Sequence, residues 1–142
     1  MAEAAIIQVD IVSAEGEIFS GPATELFAPA SQGDLGIYPR HAPLLTLLKA
    51  GEVRVKTADG GEHFIFVGGG ALEVQPHKVT VLADTALRAK DLDEAAALAA
   101  KQRAEEALKN KGTTMTEAEA VAELVRAIAQ LKMLERLRKL RG

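Results

Sequence analysis

The strongest constraint on the fold is a change of composition along the chain. All five aromatic residues (Phe19, Phe27, Tyr38, Phe64, Phe66) and all five prolines lie before Lys78, whereas the chain from Ala89 onward is rich in Ala, Leu, Glu, Lys and Arg. Aromatic and β-branched side chains fit a pleated, half-buried surface, and Ala, Leu, Glu, Lys and Arg lose little entropy in a helix. This predicts a β domain over residues 1–88 and a helical segment over 89–142.

In the first part, Ile7, Val9 and Ile11 alternate with Gln8, Asp10 and Val12, the period of a strand with one buried face. Turn signals then recur at short intervals. Ser13-Ala14-Glu15-Gly16 is expected to close the first strand, Gly21-Pro22 the second and Pro29-Ala30-Ser31-Gln32-Gly33 the third. Asp59-Gly60-Gly61 predicts a hairpin between 53–56 and 63–67, and Gln75-Pro76-His77-Lys78 another between 71–74 and 79–82. With no helix available for a crossover, the pattern favours an antiparallel β-sandwich or barrel.

In the second part, Leu92 to about Asn110 and Thr116 to about Leu140 read as helices, so the pair forms an antiparallel two-helix hairpin. Asp91 with Glu94, and Thr116 with Glu119, have the spacing of capping boxes, and Gly112 suits the stop of the first helix. Val121, Leu124, Ile128, Leu131, Leu134 and Leu137 form a stripe on the second helix, facing mostly alanines on the first. Such a seam buries little area, so the hairpin should be weakly held.

Composition narrows the function. The chain has 142 residues, 26% charged, with no cysteine, which leaves no disulfide, thiolate metal site or cysteine nucleophile. A net charge of −3 argues against general nucleic-acid binding. The N-terminus has neither the basic start nor the apolar core of a signal peptide, and no apolar run is long enough to span a bilayer. His41, His63 and His77 lack metal-ligand spacing, and no nucleophile–base set accompanies them. Gly68-Gly69-Gly70 continues into strand-like Ala71-Leu72-Glu73-Val74 rather than a lysine and a helix, so it reads as a bulge or close backbone approach and not a phosphate cradle. No cofactor and no catalytic residue is expected.

Two stretches remain. Residues 33–45, Gly-Asp-Leu-Gly-Ile-Tyr-Pro-Arg-His-Ala-Pro-Leu-Leu, combine two glycines and two prolines with a titratable ring, and read as a bent, rigid loop that is either a plain turn or a contact surface. From Arg126 to Arg141 six bases (Arg126, Lys132, Arg136, Arg138, Lys139, Arg141) face one acid, Glu135. Lys132, Arg136 and Lys139 share one side, and no acid on the same helix is expected to neutralise them.

With residues 33–45, then Gly68-Gly69-Gly70-Ala71-Leu72-Glu73-Val74 and Val79-Thr80-Val81-Leu82-Ala83-Asp84, the chain resembles the epsilon subunit of bacterial F-type ATP synthases over essentially its whole length. The resemblance implies a non-catalytic rotor subunit at the cytoplasmic face of the inner membrane, held there only through the complex. Its sandwich would join the gamma stalk to the c-ring, with Asp34, Tyr38, Arg40, His41 and Pro43 as contacts. Its helices would inhibit ATP hydrolysis by placing Arg126, Lys132, Arg136 and Lys139 against the beta and alpha subunits. Some members of the family bind ATP through an Ile/Leu-Asp-x-x-Arg-Ala motif. Here Leu92-Asp93-Glu94-Ala95-Ala96-Ala97 keeps the aspartate but has Ala96 for the arginine, which leaves Asp93 and Arg103 as nucleotide candidates and predicts weak or absent binding. The alternative is an ATP-sensing regulatory switch.

Overall fold

Alternation along residues 7–11 becomes strand β1 (Ile7–Ser13) in the computed structural model, which describes residues 5–110 and 115–141. Ile7, Val9 and Ile11 are buried while the residues between them are partly open, as a pleated strand with one core face requires. Seven more strands follow: β2 (Gly16–Ala23), β3 (Glu25–Ala30), β4 (Gly33–Ile37), β5 (Leu44–Lys56), β6 (Glu62–Gln75), β7 (Lys78–Ala83) and β8 (Ala86–Arg88). They form one sheet in the order β2-β1-β7-β6-β5-β3-β4, with β8 added beside β6, and it folds over on itself as a β-sandwich. Every pairing among the described residues is antiparallel except β1 with β7. Parallel neighbours need a long connection, and here β2 to β6 supply it.

Two of the expected strands, 63–67 and 71–74, are halves of one, β6, and the expected 53–56 is the last part of the longer β5. β5 and β6 run side by side from Leu44↔Val74 to Lys56↔Glu62, through Gly51 and through Gly68-Gly69-Gly70. These glycines permit close packing rather than ending strands. A Cβ on Gly51 would lie 2.9 Å from the Pro29 ring, and one on Gly70, at φ 138°, would lie 2.1 Å from the Leu82 carbonyl oxygen. The triple glycine is thus the close backbone approach its sequence suggests, at a corner where β6 changes neighbour from β8 to β7.

Other boundaries move as well. Gly21-Pro22 lies within β2 and does not end it, because an edge strand tolerates a residue without an N–H donor. Pro29 lies within β3, at the irregularity between Phe27 and Ala30 in the β3–β5 register. Gly33–Ile37, expected as bent loop, is edge strand β4. The short strand β8 has no counterpart in the sequence reading.

The chain divides into two compact units, Met1–Lys90 and Asp91–Gly142. The first has a core of Ile7, Val9, Ile11, Leu26, Ile37, Val53, Val55, Ile65, Leu72 and their neighbours. A short 3₁₀ turn (Ala89–Asp91) spans the boundary, and the second unit holds α1 (Glu94–Lys109) and α2 (Glu117–Arg141). The helices are antiparallel, since Glu94 meets Arg138 while Arg103 meets Glu123. The first cap is Asp93, whose carboxylate accepts the Ala96 N–H at 3.1 Å; Asp91 is already in the 3₁₀ turn and does not cap α1. Thr116 caps α2 as its sequence predicts, accepting from the Glu119 N–H at 3.1 Å. Gly112 lies outside the described residues.

The seam differs from the expected leucine stripe. Its fully covered residues are Ala97 and Ala104 on α1 and Ala120, Ala127, Met133 and Leu137 on α2, while Val121 is 45% exposed and Leu124, Ile128, Leu131 and Leu134 are only half-buried. Alanine lets the backbones approach, and apart from Met133 and Leu137 the bulkier side chains flank the contact instead of filling it.

Candidate functional site

Of the residues 33–45, only Tyr38–Pro43 are a loop, joining edge strand β4 to β5. The His41 N–H donates to the Tyr38 carbonyl at 3.1 Å and closes a turn, in which Arg40 takes a positive φ of 66°. The Arg40 N–H donates to the Pro76 carbonyl at 2.9 Å, tying the turn to the β6–β7 hairpin. That hairpin also accepts the Gln8 N–H at His77, 3.0 Å away. Rigidity here comes from backbone hydrogen bonds to a neighbouring turn as well as from the prolines.

The side chains divide accordingly. Tyr38, Arg40 and His41 share the turn, and His41 Nδ1 lies 2.7 Å from the Ala42 carbonyl. Pro43 is exposed just before β5. Asp34 stands apart on β4, opposite Pro29, and is exposed. The Tyr38 ring meets Phe27 edge-on at 6.4 Å, and the Arg54 guanidinium lies 4.7 Å from the centre of the same Phe27 ring. The Glu25 carboxylate, hydrogen-bonded to the Tyr38 hydroxyl, raises its pKa, and Glu25 likewise raises that of Lys56, 3.1 Å away.

A feature absent from the sequence reading lies on the outer face of the sheet. Leu45 is 75% exposed, Leu47 66% and Leu82 54%. Leu47, Ala71, Leu82 and Val12 are successive partners across β5, β6, β7 and β1, so they make one apolar row. Next to it run Glu73, Thr80 and Asp10. Gln8, the Ser20 hydroxyl and Lys78 all stabilise the Asp10 carboxylate and lower its pKa. The signal was present in Leu44-Leu45-Thr46-Leu47-Leu48, which is apolar on both faces of the strand.

On α2, Lys132 is exposed and Arg126 half-buried, and neither is in an ion pair among the described residues. Lys139 is neutralised on its own helix, contrary to expectation, because Glu135 stands one turn before it at 3.4 Å. Arg138 reaches Glu94 at 2.8 Å, and Arg136 also has a partner. Both nucleotide candidates are engaged. Asp93 caps α1, and Arg103 Nε donates to Glu123 at 3.0 Å. Among the described residues no group of acids and histidines is placed to hold a metal ion, and no helix is long and apolar enough to cross a membrane.

Comparison with known proteins matches both units. Residues 6–89 match the family model for the ATP synthase Delta/Epsilon chain beta-sandwich domain, and residues 90–135 that for its long alpha-helix domain. The ATP synthase epsilon chain of Nitrosococcus oceani is 63% identical over 96% of this chain and 97% of its own length. That of Alkalilimnicola ehrlichii is 62% identical over 94% and 95%. Among solved structures, a chain of the Euglena gracilis mitochondrial ATP synthase OSCP/F1/c-ring assembly has a TM-score of 0.70 at 17% identity, covering 100% of this chain and 85% of that one. A chain of the Tetrahymena thermophila mitochondrial ATP synthase central stalk and c-ring has a TM-score of 0.61 at 14% identity, covering 94% and 99%. At that identity the two structures speak for the fold, while the sequence matches, spanning both units, place the chain in the epsilon family of ATP synthase.

Proposed function

We propose that the chain is the central-stalk rotor subunit of a proton-translocating F-type ATP synthase, coupling the gamma stalk to the c-ring and restraining ATP hydrolysis through its helices. As a family member it is an accessory chain and not the catalytic one. The observation that carries the docking role is the pinned turn at Tyr38–His41. It presents polar side chains on a backbone fixed by Pro76, which suits a contact that turns with its partner. The exposed row through Leu47 and Leu82, with Leu45 beside it, adds an apolar surface of the kind that marks a protein–protein contact. Both features belong to the first unit, 1–88 in this reading, and the complex alone holds the chain at the cytoplasmic face of the inner membrane.

In the inhibitory role, α2 leaves its partner and sets Arg126, Lys132, Arg136 and Lys139 against acidic groups of the beta and alpha subunits. The alanine seam supports this reading, because separating it uncovers little apolar area. The Arg103–Glu123 and Asp93 contacts, which occupy both nucleotide candidates, weigh against ATP sensing. Truncation after Ala89 in the assembled complex tests the proposal: ATP hydrolysis rises while the complex still retains the sandwich. Unchanged hydrolysis would remove the inhibitory role, and loss of the truncated chain from the complex would remove the docking role of the sandwich.

A further inference from the structure

Arg40 is the one non-glycine residue with a positive φ among the described residues. Glycine takes such a conformation without steric cost, whereas a residue with a Cβ is strained in it. The backbone there is held on both sides, by Arg40 N–H to Pro76 O and by His41 N–H to Tyr38 O. The side chain, in contrast, is exposed, and its guanidinium has no hydrogen bond or ion pair among the described residues. The turn itself contains no acid between Tyr38 and Pro43 that could neutralise it. Nothing within the sandwich therefore accounts for arginine at a position whose backbone favours glycine. Strain kept at an exposed, pinned turn points to a contact outside the chain.

We propose that Arg40 is a specificity determinant of the docking turn, its guanidinium taking a carboxylate on the loops of the ring subunits against which the turn sits. This rests on the docking role proposed above and adds the chemistry of the contact. A guanidinium offers two parallel N–H donors that match a carboxylate, which lysine cannot reproduce. A phosphate has the same acceptor geometry, but a lipid surface is recognised by clusters of roughly four to eight cations, and this turn carries one.

The test uses ATP synthase stripped of this chain and rebound with full-length wild type, R40G or R40K, alongside thermal melts of each free chain. The expected result for R40G is a split: a melting temperature equal to or above wild type, because the strain is relieved, with affinity for the stripped complex about tenfold weaker. R40K should fall between the two in affinity, and the wild-type advantage should shrink as salt rises. A purely structural arginine would move melting and affinity in the same direction. R40G docking as tightly as wild type, or melting several degrees lower, overturns the proposal. So does binding of wild-type chain, lost in R40G, to phosphatidylglycerol vesicles without the complex, which would assign the guanidinium to lipid phosphate. Failure of the wild type itself to rebind would instead overturn the docking role from which this inference starts.

Discussion

The two units bury their apolar surface in opposite ways. In the sandwich the fully covered side chains are large and branched, among them Phe66, Ile7, Ile11, Leu26, Ile37, Ile65 and Leu72. In the hairpin four of the covered side chains are alanines, joined by Met133 and Leu137 at one end. A buried methylene is worth about 0.8 kcal/mol, so each sandwich position contributes several times what an alanine does. The sandwich is held by its core. The hairpin is held by propensity, caps and exposed ion pairs, terms that are individually small. One chain thereby combines a unit that keeps its shape under load with a unit that separates at low cost.

The largest expected effect sharpens that contrast. Leu72→Ala should destabilise the sandwich by roughly 2–5 kcal/mol, whereas Ala104→Gly should cost the hairpin about 1 kcal/mol. Tyr38, the chain's one tyrosine, reports on the sandwich by fluorescence, and helical ellipticity reports on the hairpin. In denaturant the ellipticity should be lost first, and only the tyrosine transition should move in Leu72→Ala. A single coincident transition for both probes would break the comparison. Next in size, Thr116→Ala should cost about 1 kcal/mol by removing the α2 cap, seen as an earlier helical transition with the tyrosine signal unmoved.

The smallest expected effect is a pH dependence confined to the sandwich. Gln8, Ser20 and Lys78 lower the pKa of Asp10. A lowered carboxylate contributes stability that is present above the unfolded value of about 3.9 and is lost as pH falls through the folded value. Titration from neutral pH should therefore leave the tyrosine transition level until below about pH 4, then lower it, and Asp10→Asn should flatten the fall.

The sequence was most legible where burial and period coincide. Ile7, Val9 and Ile11 announced β1 because its two faces differ, and Thr116 announced its helix because one hydroxyl and one N–H make the cap. It misled where one residue type serves two ends. Gly21-Pro22 resembles a strand stop, yet both residues lie inside β2, where the edge position makes the missing donor harmless. Asp91 and Asp93 both precede α1, and only the backbone path through the 3₁₀ turn chooses between them. The helical seam was misread because alanine is too weakly hydrophobic to stand out in a periodic pattern beside leucine. Beside edge strand β4, the turn chemistry of Tyr38–Pro43 was visible, but its anchor at Pro76 lies far along the chain, and β8 is too short to show a period.

The continuous β5–β6 ladder has a mechanical consequence. Its hydrogen bonds lie across the strands, and the loop ending at Pro43 feeds directly into the axis of β5. A pull entering there acts as shear, shared at once by many bonds in register from Leu44 to Lys56. Peeling, which breaks bonds one after another, would require force across the strands, and the hairpin anchor at Pro76 opposes it. A force entering through this edge would therefore meet the sheet along its stiffest direction.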